Sequence, residues 1–99
     1  MSYGYVGSMK VKPGHRDDVL AILLRAAEGV TAFGCTRYIV SVSATDPDTI
    51  WTFEVWPSKE DHEASLKAPE VKEAVGEAMP MLTGEFTGQE LSIVGGLGV

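Results

Sequence analysis

The sequence predicts one α+β domain with the element order βαββαβ, on three observations. Two stretches with strand periodicity flank the turn Asp46-Pro47-Asp48. Amphipathic helical stretches lie on either side of that hairpin, and an alternating stretch stands near each end of the chain. An antiparallel sheet carrying its helices on one face, the ferredoxin-like arrangement, satisfies that order. The 99 residues make a single domain, 1–99, able to bury roughly 60–70% of the surface of the unfolded chain.

The first strand is predicted over 3–12, with Tyr3, Tyr5, Met9 and Val11 on one face, and Lys12-Pro13-Gly14 ends it. From His15 onward Val19, Ile22, Leu23, Ala26, Ala27 and Val30 recur at helical spacing. Asp17 and Asp18 suit the positive end of the helix dipole, and Gly29 or Gly34 can close the helix. A second strand over 36–44 sets Tyr38, Val40, Val42 and Ala44 against Arg37, Ser41 and Ser43, and a third follows over 49–56. Pro57 cannot donate to a sheet ladder, and Ser58-Lys59-Glu60-Asp61 places a hydroxyl three residues before a carboxylate, close to a capping box. A helix therefore starts near Lys59 and runs to Ala68-Pro69. Pro69 suits the first turn of a second helix, whose apolar stripe is Val71, Ala74, Val75, Ala78, Met79 and Leu82. Gly84 opens a last strand over 85–94, and a glycine-rich tail follows.

The third strand is apolar on both faces, with Trp51, Phe53 and Val55 on one and Ile50 and Trp56 on the other. Helices cover only one face, so the other would expose a large apolar patch. A homodimer that buries it is the expectation.

Composition removes several function classes. A formal net charge of −6 with no basic run opposes binding to nucleic acid or anionic membranes. The longest apolar run, over 19–24, ends at Arg25, and no charged-then-apolar leader opens the chain. Neither a membrane span nor a signal peptide is expected, which makes the cytoplasm the default location. The single Cys35 excludes an intramolecular disulfide and reads as a small packing residue. His15 and His62 lack metal-ligand spacing to each other or to Cys35, and the glycines match no nucleotide-binding pattern. Gly4 and Gly7 instead suggest bulges or close backbone approach, and His15 suggests a solvated side chain. No metal or cofactor is expected.

The candidate chemistry gathers at the join of the third strand and the helix that follows it. His62, Ser65 and Leu66 share a helical face. A neutral imidazole beside an aromatic-walled pocket can take a phenolic proton near neutral pH, whereas a histidine among Glu60, Asp61 and Glu63 can equally be a solvated surface group. Glu54 is a carboxylate in an apolar strand: buried, it becomes a second base; facing solvent or Arg37 of a second protomer, it is structural. Trp56, Phe53, Tyr5, Tyr38 and Met79, with Trp51, Phe33 and Met81, could wall a pocket for a flat aromatic ligand or simply fill core and interface.

The chain resembles the antibiotic biosynthesis monooxygenase family, within the dimeric α/β-barrel superfamily. The similarity runs through Val11-Lys12-Pro13-Gly14, the join Glu54-Val55-Trp56-Pro57-Ser58-Lys59-Glu60, and Ala68-Pro69-Glu70-Val71. This resemblance implies a homodimer that oxidises hydroquinones, anthrones or related polyketide aromatics with molecular oxygen and without metal, flavin or haem. Many relatives carry histidines where Ser65 and Glu70 stand here, so His62 is the candidate base, with Glu54 or Ser65 assisting. The haem-degrading branch has its iron-ligating histidine where Val75 stands, and Val75 cannot ligate iron. The function expected is thus a cofactor-independent monooxygenase acting on a quinol-like or polycyclic aromatic substrate. The alternative is a non-catalytic dimeric module for aromatic binding or assembly, as one fold hosts many functions. A pocket of a few hundred Å3 with convergent polar groups would favour the enzyme, and a filled core the module.

Overall fold

Alternating side chains at the start of the chain form strand β1, Ser2–Val11, in a computed structural model that describes residues 2–99. Helix α1 (Arg16–Val30) follows, then β2 (Arg37–Val42), β3 (Thr49–Trp56), α2 (Lys59–Leu66), α3 (Pro69–Ala78) and β4 (Leu82–Ile93). The strands form one antiparallel sheet in the order β2-β3-β1-β4. The α+β, ferredoxin-like architecture is therefore the one predicted, with the helical layer divided into three helices. No helix is long and apolar enough to cross a membrane among the described residues.

Local chemistry explains where each element stops. α1 runs into a 3-10 turn at Thr31–Phe33, and Gly34, at φ 92°, supplies the left-handed residue that ends it; Gly29 stays inside the helix. Asp46 organises the β2–β3 hairpin, its carboxylate accepting from Asp48 N (3.0 Å) and the Thr49 hydroxyl (2.8 Å). Ser58 caps α2 by accepting from Asp61 N at 3.2 Å and donating to the Asp61 carboxylate at 2.9 Å. Ala68 is extended and Pro69 begins α3, so the proline separates two helices as expected.

Leu82 corrects the sequence reading. Rather than closing the stripe of α3, it opens β4 in extended geometry and pairs with Val11. Pro80 is the cause: it lacks the N–H that a continuing helix needs, and the chain leaves α3 through the 3-10 turn Met79–Met81. Gly4 and Gly7 do mark close approach, since a Cβ at Gly4 would lie 2.7 Å from Ile93 Cδ1 and one at Gly7 2.9 Å from Thr87 O. The one irregularity of β1 falls elsewhere, between Met9 and Val11.

Pairing register assigns the two faces. Beneath the helices lie Tyr3, Tyr5, Gly7, Met9 and Val11 of β1 with Ile50, Thr52, Glu54 and Trp56 of β3. Val11, Val19, Ile22, Ile50, Ala74, Ala78 and Leu82 form one buried cluster, and Val30, Cys35 and Trp56 a second. The opposite face carries the cross-strand row Ile39, Phe53 and Val6, with Trp51 beside it. Ile39 is 52% and Trp51 40% exposed, so an apolar strip lies open there. The tail after β4 reaches the far edge of the sheet, where Arg37 Nη2 donates to Gly98 O at 2.7 Å.

Ile50 is fully buried in the first cluster. Its replacement in Ile50→Ala is expected to cost about 2–5 kcal/mol in urea unfolding, because the cavity cannot close completely. A loss below about 1 kcal/mol would mean that this cluster repacks freely.

Candidate active site

Two adjacent cross-strand rows build the site. The first reads Tyr38, Glu54, Tyr5 and Glu90 across the sheet, and the next reads Val40, Thr52, Gly7 and Gly88. The first row is bulky and polar, the second small. With so little side chain on the second row, the helices cannot close onto the sheet, and a cavity of about 410 Å3 remains between them. Tyr5 leans over Gly88, where any Cβ would collide with its hydroxyl oxygen.

His62 projects from α2 into this space. Its ring centroid lies 5.4 Å from those of Tyr3, Tyr5 and Trp56, stacked on Tyr5 at 20° and edge-on to Trp56 at 67°. Its Nε2 stands 3.8 Å from Glu54 Oε1, with both side chains largely buried. The indole N–H of Trp56 donates to that same Glu54 oxygen at 3.1 Å. Ser65, 2% exposed, donates its hydroxyl to the His62 carbonyl at 2.6 Å. The Ser65 proton is thus committed to the helix backbone, although the residue borders the cavity.

Burial dominates the electrostatics. It pushes the Glu54 carboxyl above its usual range, with the Trp56 N–H pulling the other way. It pushes the His62 imidazole below its usual range, and the negative charges of Glu63 and Glu90 only partly offset this. Each member of the pair is thereby moved toward its neutral form. The Tyr38 phenol is driven up by burial and then by Glu54 and Cys35, so it stays protonated as a donor. Tyr3 is pushed up to about 12, first by burial and then by its hydrogen bond to Glu90. Lys59 closes this corner, its ammonium 2.9 Å from Glu90 Oε1.

The predicted residues are largely brought together. Glu54, His62, Ser65, Tyr5, Tyr38 and Met79 all border the cavity, and Trp56, 1% exposed, backs it through Glu54 and His62. Phe53 is the exception. Strand alternation turns it, with Trp51, to the opposite sheet face, so it is not a wall of this cavity. Phe33 and Met81 are packed against the two core clusters. Glu54 points inward, away from the face that carries Arg37. Cys35 is buried, its thiol raised by desolvation, and His15 is exposed. Thr52, Phe86 and the α1 residues Ile22, Leu23 and Ala26 also line the cavity and were not among the expected site residues. Residue type did not mark them; pairing register and helix packing did. Among the described residues, no three His, Cys, Asp or Glu side chains converge as a metal site.

A four-stranded antiparallel sheet roofed by helices on one face, with an aromatic and carboxylate-bearing cavity between the layers, defines a ferredoxin-like α+β domain with a candidate site between its layers. Residues 2–77 match the family model of antibiotic biosynthesis monooxygenases, and the chain belongs to that family. It is 40% identical to a candidate antibiotic biosynthesis monooxygenase from Chloroflexus aurantiacus, at a TM-score of 0.87, covering 99% of this chain and 98% of that one. A candidate member from Caulobacter crescentus shares the fold at a TM-score of 0.88 and 23% identity, covering 95% of this chain and 91% of the other. One from Nitrosomonas europaea does so at 0.89 and 15%, covering 94% and 90%. No curated protein matches the chain significantly.

Carbon-detected NMR titration of Glu54 and His62 tests the electrostatics directly. His62 is expected to titrate below about 6.5, the ordinary histidine midpoint. In Trp56→Phe, the Glu54 midpoint is expected to rise further, because the lost indole N–H stabilised the charged carboxylate. An unchanged or lower Glu54 midpoint would break that assignment.

Proposed function

We propose that this chain is a cofactor-independent monooxygenase that oxidises a quinol-like or polycyclic phenol with molecular oxygen. The observation that carries the proposal is the largely buried His62–Glu54 pair on the wall of a mainly apolar cavity. His62, held neutral by burial, is the base that takes a phenolic proton. Glu54, beside it, stabilises the imidazolium that forms, while the protonated Tyr38 phenol is placed to donate to developing negative charge.

The chemistry then belongs to the substrate. The phenolate passes one electron to oxygen, and the resulting semiquinone radical and superoxide couple at a ring carbon as a peroxide. The peroxide takes the proton held by His62, and its O–O bond breaks as the ring carbon loses its own proton; one oxygen stays on that carbon as a quinone carbonyl, and the other leaves as hydroxide, which takes up that proton to become water. Apolar walls keep bulk water from the radical pair. A cavity of about 410 Å3 falls within the range of small-molecule sites, about 300–1,000 Å3, and supports the enzyme over a filled assembly module. The open strip of Ile39, Trp51 and Phe53 supports a homodimer joined through that sheet face. Unpaired Cys35 and the acidic composition suit a cytoplasmic protein.

Oxygen uptake with a panel of hydroquinones and anthrone-like phenols, measured above autoxidation and in the presence of a chelator, tests the activity. In His62→Gln the rate is expected to fall by about 10²–10⁴-fold. For the unaltered protein, kcat/KM should decline only as pH drops through a midpoint below about 6.5, since burial keeps the base form available to more acidic pH. A His62→Gln enzyme with unchanged turnover would remove His62 from the reaction. For the dimer, Phe53→Lys is expected to shift the sedimentation coefficient from dimer to monomer; a species that sediments as a monomer before substitution would rule the interface out.

A further inference from the structure

Resting on the reading of the cavity as a phenol site, we propose that it selects uncharged phenols and excludes their carboxylated counterparts. Among the described residues, no Lys or Arg borders the cavity, and its ionisable lining consists of Tyr5, Tyr38, Glu54 and His62. A bound carboxylate would therefore find no permanent cation to pair with, and burial of an unpaired anion is strongly unfavourable.

The surroundings act in the same direction. Glu63 and Glu90 project negative charge onto His62 from outside the cavity. Two cations of the flanking helices are already engaged, Lys59 with Glu90 at 2.9 Å and Arg25 with Glu77 at 2.9 Å. Nor does the mouth offer a second anchor. Leu66, Val75, Met79 and Phe86 border the cavity there, each about half exposed at 50–51%. Ligand that emerges between them meets hydrocarbon, and those four side chains lose their contact with water when it does. The volume, near the lower end of the small-molecule range, favours one or two rings.

The test is equilibrium binding by calorimetry at pH 7 of two probes of equal size, 6-hydroxy-2-naphthamide and 6-hydroxy-2-naphthoate. The amide is expected to bind at least about tenfold more tightly, because the acid brings a charge that no lining cation pairs. Val75→Arg places a guanidinium at the half-exposed mouth and should narrow the ratio by raising affinity for the acid. Leu66→Lys, at the same mouth, provides a second variant, and circular dichroism verifies that each is folded. Equal or tighter binding of the acid to the unaltered protein, or no binding of the amide, overturns the inference. Oxygen uptake separates it from the proposed reaction. Turnover of hydroquinones with no charge discrimination leaves the reaction standing and removes the selectivity, whereas discrimination without uptake does the reverse.

Discussion

Glu54 places an ionisable carboxyl on the sheet face that the helices cover, and such a group tolerates burial only when partners surround it. The local structure supplies them. Trp56, on the same strand and the same face, donates its indole N–H to Glu54, and His62 approaches from α2. Those two positions in turn depend on Pro57 and the Ser58 cap, which turn the chain abruptly from β3 into α2. Tyr5 and Tyr38 flank Glu54 in the same cross-strand row, so the polar end of the cavity is a direct product of register.

The cavity itself follows from what the neighbouring row lacks. Gly7, Thr52 and Gly88 put little volume between sheet and helices. Elsewhere on this face Ile50, Val11 and Leu82 fill the space and make a tight core. The contrast explains the behaviour of α3 and the 3-10 turn after it, whose apolar stripe is not uniformly buried. Ala74 and Ala78 pack into the core, whereas Val75 and Met79 border the cavity mouth and remain half exposed. Apolar surface left in this way favours a ligand that covers it.

Phe53 shows how strictly strand alternation divides the two faces of this sheet. Its neighbours Thr52 and Glu54 point under the helices, while Phe53 joins Ile39, Val6 and Trp51 on the opposite face. The cavity and the open apolar strip are thus separated by the thickness of one sheet. The same strand β3 serves both, which is why neither of its faces reads as polar.

The sequence by itself determined the order of elements, the hairpin at Asp46, the capped start of α2 and the break at Pro69. Each of these depends on dihedral limits and hydrogen bonds made within a few residues. It also determined that His62, Ser65 and Leu66 share a helical face, because 3.6-residue periodicity is a local property. Only the tertiary structure decided that Glu54 points inward, that Phe53 does not, and that Leu82 belongs to a strand. Those outcomes depend on which sheet face the helices cover and on pairing between residues far apart in the chain, such as Val11 with Leu82. Tertiary structure likewise decided that Gly88 makes room for Tyr5 and that α1 lines the cavity. An empty volume is a relation among several elements, and no single stretch of residues encodes it.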